Sequence, residues 1–230
     1  MSNSITRIHI RGRMGVQILQ AATALSRLDP KEDPVICVNT QGLSDDFNSK
    51  LHLLFDPQCR VVNIDDSKKT PYWVSGAATS IFENRDKIFR WMKPKVMNLT
   101  NHNSQAIHIR GGDKKIVSAK NNDMLVHIAL RRGQEPSIIY TNDRAAVDTK
   151  HHDLISNLPD AESDWWSMYH TKTVYAAPSA FIMSMLLVNP DKHIIFMNEK
   201  QCDGEYQHTG NDFLFLREAM AYCKNVEFLP

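Results

Sequence analysis

The sequence lacks most of the devices by which a chain of this size announces a simple function. Its four cysteines, Cys37, Cys59, Cys202 and Cys223, lie far apart and form no C-x-x-C pair. That spacing argues against a zinc ribbon or a dithiol redox site and leaves reduced, buried thiols. Neither sign of charge dominates: the formal net charge is +1, which argues against a broad electrostatic footprint for nucleic acid or an anionic membrane, so any anion site must be local. No stretch reaches the roughly 18 apolar residues of a membrane span. The start, Met1-Ser2-Asn3-Ser4-Ile5-Thr6-Arg7, has no apolar run of a signal peptide, so a cytoplasmic location is expected and Asn98-Leu99-Thr100 reads as a chance sequon. There is no P-loop, no G-x-S-x-G elbow, no internal repeat and no low-complexity tract. Asp45-Asp46 and Asp65-Asp66 fall in polar turns without a third ligand, and His151-His152 are adjacent instead of four apart on a helix, so no metal is expected.

What is present is a chain of 230 residues, 42% hydrophobic and 23% charged, long enough for two small cores. It opens with an alternating apolar strand over 5–10, a glycine turn at 11–15 and a helix over 16–28 with Ile18, Ala22, Leu25 and Leu28 at helical spacing. Strands follow over 34–38 and 60–64, and a helix over 83–93 that Pro94 stops. The pattern then starts again: strand 105–109, helix 123–132, strand 137–141, helical stretches between 144 and 170, strand 173–175, helix 180–187, strand 193–196, and a last helix over 212–223. Alternation of this kind predicts an α/β fold with parallel sheets covered on both faces. Two such runs predict two Rossmann-like lobes with a cleft between them, residues 1–98 and 99–230, the second including the C-terminal helix.

Chemistry concentrates in His108-Ile109-Arg110-Gly111-Gly112-Asp113-Lys114, directly after an expected strand, where open α/β sheets place their ligands. The Arg110 guanidinium offers a fork of donors suited to a diphosphate, and Gly111 and Gly112 let anionic oxygens approach backbone N–H groups. Asp113 either orients Arg110 or locks the turn. Taken alone, the run reads equally as a glycine turn with a solvated charge cluster.

This run resembles the H-x-R-R-G/T-D signature of the α1,2- and α1,6-fucosyltransferases and related O-fucosyltransferases. The resemblance implies that Arg110 binds the donor diphosphate and supports departure of the nucleotide; Gly111 stands where those proteins have a second arginine. Two further segments resemble the family in the same order. Gly12-Arg13-Met14-Gly15-Val16-Gln17-Ile18-Leu19-Gln20 is similar to its G-x-x-G-N-Q-x-x-Q loop and helix, with Val16 in place of asparagine. That likeness gives Gly12, Gly15 and Gln17 a part in closing the cleft beneath donor or acceptor; the alternative is an ordinary tight turn. Asp164 to Phe181 resembles the family's D-x-x-x-M-S and N-S-T-F stretch, implying that Asp164 reads the guanine edge and that Ser179, Ala180 and Phe181 hold phosphate at a helix start. Ser179 otherwise reads as a plain N-cap, and Trp165 and Trp166 as core.

Ile138 to Arg144 is similar to a family strand ending in S/T-D-D, with Asn142 at one acid; Asp143 then either contacts ribose or caps the turn. His108 either touches the base or anchors its loop. Together the likenesses imply a GT-B-like, inverting, metal-independent glycosyltransferase with Arg110 and Asp113 as catalytic groups. Its implied partners are a nucleotide-sugar donor, GDP-fucose first, and a glycan acceptor, with no cofactor beyond the donor. Another nucleotide sugar, or a catalytically silent nucleotide- or glycan-binding protein of the same fold, are the alternatives.

Overall fold

The computed structural model describes residues 4–29, 31–39, 51–64, 76–95, 102–110, 117–133, 136–202 and 209–230. The chain divides into two compact units, Met1–Val96 with Leu214–Tyr222, and Met97–Phe213 with Cys223–Pro230.

The first unit begins with β1 (Ser4–Arg11), α1 (Met14–Arg27) and β2 (Glu32–Asn39), then α2 (Leu51–Leu54), β3 (Phe55–Pro57) and β4 (Arg60–Ile64). It continues with α3 (Ala77–Glu83), α4 (Arg85–Trp91) and β5 (Met92–Pro94). Strands β1, β2 and β4 form a parallel sheet in that order. Helix α1 buries Ile18, Leu19, Ala22 and Leu25 at the spacing that puts them on one face. Ser26 Oγ shares a 2.6 Å hydrogen bond with Ser80 Oγ, and Lys87 Nζ donates to Ser26 O at 3.0 Å, so α3 and α4 are tied to the end of α1.

The helix expected over 83–93 is α4, shorter at both ends, with α3 as a further helix before it divided off at Asn84, and Met92 belongs to neither. Residues Met92–Pro94 pair antiparallel with Phe55–Pro57. Pro94 biases the residue before it toward extended backbone, so it ends the helix earlier than a simple stop would.

The second unit contains β6 (His102–His108), α5 (Ala119–Arg132), β7 (Ser137–Tyr140), α6 (Ala161–His170), β8 (Thr171–Ala176), α7 (Ala180–Val188) and β9 (His193–Phe196). Helix α8 (Thr209–Ala219) and β10 (Val226–Phe228) close the chain. The five strands run parallel in the order β10-β9-β8-β6-β7. Between β7 and α6 the chain makes two short 3-10 turns, Arg144–Ala146 and Thr149–Leu154, which with α6 are the helical stretches expected between 144 and 170. His151 and His152 lie in the second of these and go separate ways, His152 Nε2 to Val147 O at 3.1 Å and His151 Nε2 toward Asp123 at 3.7 Å.

Strand alternation sorts the two faces of this sheet. Ile107, Ile139, Tyr175 and Ile195 face α5, whose Leu125, Val126 and Ala129 complete one core. The alternate residues face α6 and α7: Tyr140 shares a 2.6 Å hydrogen bond with Ser167 Oγ, and the Trp165 indole N–H donates to Phe181 O at 3.2 Å and Ser184 Oγ at 3.0 Å. Trp165 and Trp166 are thus core residues that join the two helices. Lys192 Nζ donates to Tyr169 O and Thr171 O, closing the corner between α6 and β8.

Against the expected division at 98/99, the first unit also takes Leu214–Tyr222. The physical reason lies in three contacts: Gly76 N donates to Glu218 Oε1 at 2.7 Å, the Tyr222 hydroxyl donates to Glu83 Oε1 at 2.9 Å, and the Phe82 and Tyr222 rings stack at 5.6 Å. All four cysteines are unbridged; Cys37 and Cys223 are buried. Among the described residues no helix is long and apolar enough to cross a membrane.

Candidate functional site

The strand order of the second unit decides where a ligand would sit. Counted along the chain within this sheet, β6 is first, β7 lies on one side of it, and β8, β9 and β10 step away on the other, the 2-1-3-4-5 order. Connections leave the first and third strands in opposite directions, opening a crevice outside their carboxyl ends, and ligands of open α/β sheets bind there. His108 is paired with Ala176 across β6 and β8 and with Tyr140 across β7, so the ends of all three strands are level. Ile109 N donates to Tyr140 O at 2.9 Å and carries the backbone one step further, which delivers Arg110 to this edge.

On the other side of the crevice β8 ends at Ala176 and Ser179 caps α7, its Oγ accepting from Ile182 N at 3.4 Å. Met183 N is bonded to Ser179 O. The N–H groups of Ala180 and Phe181, at the positive end of the helix dipole, have no acceptor inside the helix. The Phe181 ring stacks on the His108 imidazole, with centroids 5.5 Å apart and planes 29° from parallel. The structure therefore brings His108 against Phe181 and puts Arg110 and the start of α7 after the carboxyl ends of neighbouring strands, with Ser179 and Ala180 at that helix start.

Burial, and then the neighbouring Arg110 charge, push His108 down to about 3. It is a neutral imidazole at physiological pH, able to donate or accept one hydrogen bond but not to act as a cation. Its Nδ1 is enclosed and has no hydrogen-bond partner among the described residues. An enclosed polar atom of this kind is costly unless something meets it.

Asp164 and Asp143 stand further along the same side of the sheet. Asp164, in the first turn of α6, accepts from Ser156 Oγ at 3.4 Å. Burial raises its carboxyl to about 6, the Ser156 hydroxyl opposing the shift and the Asp160 charge adding to it. Asp143 follows β7 and caps the first 3-10 turn, its Oδ1 accepting from Ala145 N at 3.0 Å, while its own N–H donates to Thr141 Oγ1 at 3.1 Å.

Gly12, Gly15 and Gln17 belong to the first unit, at the carboxyl end of β1. Gly12 has φ +96°, a left-handed conformation that glycine adopts freely. The loop is held by its own helix: Gln17 Nε2 donates to Gly12 O at 2.7 Å, and Gln20 Oε1 accepts from Arg11 N at 2.9 Å. Both glutamines and Gly15 are buried. The paired glutamines are thereby explained as fasteners of a turn. Gly112 and Asp113, with Gly111 and Lys114, lie outside the described residues, as do Asp45, Asp46, Asp65 and Asp66. No group of three or more His, Cys, Asp or Glu among the described residues is placed to hold a metal ion.

One feature had no sequence signal. Ile155 bridges to Ile139, and Ser156 N donates to Ile139 O at 2.7 Å, so the segment after the second 3-10 turn runs beside β7. It borders an open cavity of ≈ 560 Å³ whose walls include Ser104, Tyr140, Ser156, Asn157 and Ser167. Ser104 Oγ is enclosed there without a hydrogen-bond partner among the described residues. Only the long-range bridge assembles this wall, and no local pattern foretells it.

The fold and site define a class: a parallel α/β protein with two units, carrying an arginine and a capped helix start at the switch point of its second sheet. No family model and no curated protein sequence matches the chain. Among solved structures it is similar to the crystal structure of NodZ alpha-1,6-fucosyltransferase soaked with GDP-fucose. The two share 14% identity at a TM-score of 0.51, over 87% of this chain and 97% of that one. At that identity the likeness establishes a shared fold.

Proposed function

We propose that the protein is a glycosyltransferase that moves fucose from GDP-fucose to a glycan hydroxyl, inverting the anomeric centre and using no metal or other cofactor. The observation that carries this reading is the convergence of Arg110, His108 and the start of α7 on the switch-point crevice, in a fold shared with a fucosyltransferase. The acceptor oxygen attacks the anomeric carbon as its bond to the diphosphate oxygen breaks; GDP leaves with the electron pair, and the acceptor proton passes to a base. Arg110 and the N–H groups of Ala180 and Phe181 stabilise the charge that grows on the leaving diphosphate. Neutral His108 directs a single hydrogen bond and adds no charge. Asp113, three residues past Arg110, is assigned as the base when it is not holding the guanidinium.

The nucleoside lies toward the cavity beside Ser156, whose hydroxyl is already turned to Asp164. A carboxylate there accepts from guanine N1–H and the exocyclic amine together, a pattern uracil lacks. Asp143 keeps its capping role with its second oxygen toward ribose.

Calorimetric titration with GDP and then UDP, followed by donor hydrolysis assays, tests the reading. GDP is expected to bind at least tenfold more tightly than UDP, and GDP-fucose to be hydrolysed slowly without acceptor. Indifference to GDP-fucose alongside turnover of a UDP-sugar or GDP-mannose would reassign the donor, a result to which Gly111 and Asn142 would then be traced. Nucleotide binding without any turnover would make the chain a silent binder, and no nucleotide binding at all would end the proposal.

A further inference from the structure

The sheet of the first unit has two unlike faces. Alternation sends Ile8 and Ile10 of β1 and Ile36 and Val38 of β2 to one of them, all buried. The other face takes Arg7, His9 and Arg11 from β1, Val35 and Cys37 from β2, and Arg60 and Val62 from β4. Register puts Arg7, Val35 and Arg60 in one row, His9, Cys37 and Val62 in the next, and Arg11 beyond them opposite Asn39. Arg7, Arg11 and Arg60 are exposed. None of the three is joined by an ion pair to a described residue. Arg7 and Arg60 stand about 10 Å apart across the strands, and Arg7 and Arg11 about 13 Å apart along β1, from ordinary sheet spacings.

A second observation agrees with that row. Burial raises the Cys37 thiol, and the Arg7 and Arg60 charges both act to lower it. Both arginines thus stand near enough for their charge to be felt at the central strand, in keeping with their shared row. Asp33, opposite Ile5 at the amino end, is the acid this face carries among the described residues. Edge strands commonly carry charges that discourage strand addition. That purpose is met by either sign on each edge; it does not call for like charges in one row, whose mutual repulsion costs stability. All three cations are arginine, the side chain whose planar fork matches sulfate and carboxylate in two-point contact. Apart from the His9 imidazole, no aromatic side chain of the described strands lies among them, short of the row of rings on which successive nucleic-acid bases stack.

We propose that this face binds an anionic saccharide chain, sulfated or carboxylated, which Arg7, Arg11 and Arg60 hold as the acceptor of the transfer. A chain of rings with one anionic group on each or every second ring spaces its charges on the scale of this lattice. The acceptor role rests on the glycosyltransferase reading; the binding site does not.

Titration of the full chain with a heparin-type hexasaccharide and with its desulfated, N-acetylated counterpart, each at low and physiological salt, tests this. The sulfated chain is expected to bind with an affinity that falls steeply with salt, roughly two to three powers per decade for three contacts, and the neutral one not to bind. Arg7→Gln with Arg60→Gln is expected to weaken binding about tenfold or more and to leave GDP titration and thermal unfolding unchanged. If that double variant loses its unfolding transition, Arg11→Gln alone is expected to weaken binding about threefold. Equal binding of both saccharides, variants that bind as the parent does, or tighter arginine-dependent binding of single-stranded DNA or phosphatidylserine vesicles would each overturn the proposal. Arginine-dependent saccharide binding without GDP binding would keep the site and remove the transferase reading; GDP binding without saccharide binding would do the reverse.

Discussion

Both units open with a strand that runs into a sequence rich in glycine and arginine, yet the two strand ends differ. In the first, the Gly12 carbonyl and the Arg11 amide are taken by Gln17 and Gln20 of the following helix, so the turn's polar groups are consumed by the fold. In the second, the strand ends in a histidine whose Nδ1 meets nothing described, beside Arg110 and a helix that begins across the crevice. A satisfied polar group rigidifies its surroundings; an enclosed, unsatisfied one is costly until something meets it. On the proposed reading, the first strand end is structural and the second chemical.

The largest test of that contrast is Arg110→Ala. It is expected to lower turnover roughly 10²–10³-fold, the usual effect of removing one donor to a developing anion, with little change in the unfolding midpoint. Steady-state kinetics and a urea melt on the same sample check both halves. Next in size, Gly12→Ala should cost about 1–2 kcal/mol of stability, since a side chain is forced into the left-handed region and its Cβ would meet Val16 Cγ1 at 3.2 Å. Turnover per folded molecule should stay within a few-fold. Loss of activity without loss of stability would break the comparison.

The smallest effect carries the clearest sign. Asp164 titrates in the folded protein at about 6, above its ordinary 3.8. Its contribution to stability is therefore full below that ordinary value and lost as pH rises through about 6. Asp164→Asn should be more stable than the parent at pH 7 by about 1 kcal/mol once solvent screening of a half-buried group is allowed for, and the advantage should vanish near pH 4. The same variant should bind GDP less tightly, and GDP binding by the parent should weaken as pH falls below 6.

The sequence made much of this visible where the signal is local. The limits of β4 and β9 follow from short β-rich runs bounded by polar residues, and α7 from Ser179 followed by an unbroken apolar stretch. The end of α4 at Trp91 was hidden because Ile88, Phe89 and Met92 fit a helical face as well as they fit a helix followed by a strand. β10 is three residues long, too short for alternation to register. For the candidate site, the placing of Arg110 and Ser179 after strands was legible. That their strands are neighbours, and that β6 and β8 make the switch point, depends on pairing between residues some 70 apart in the chain, which no window of sequence contains. Gln17 shows the converse: its position in a motif suggested a ligand contact, and its hydrogen bond to Gly12 O gives it a task within the fold.

The path of the last helix has a consequence for how the molecule is made. Leu214–Tyr222 completes the first unit, and Cys223–Pro230 returns to the second. The first unit, whose sheet is made early, is thus not finished until Leu214–Tyr222 has followed the strands β6 to β9 of the second, since Gly76 and Glu83 await Glu218 and Tyr222. Neither unit is a continuous cassette: exchange of one with a relative's would require cuts on both sides of Leu214–Tyr222 as well as near Val96, and a single-joint chimera would carry a mismatched helix.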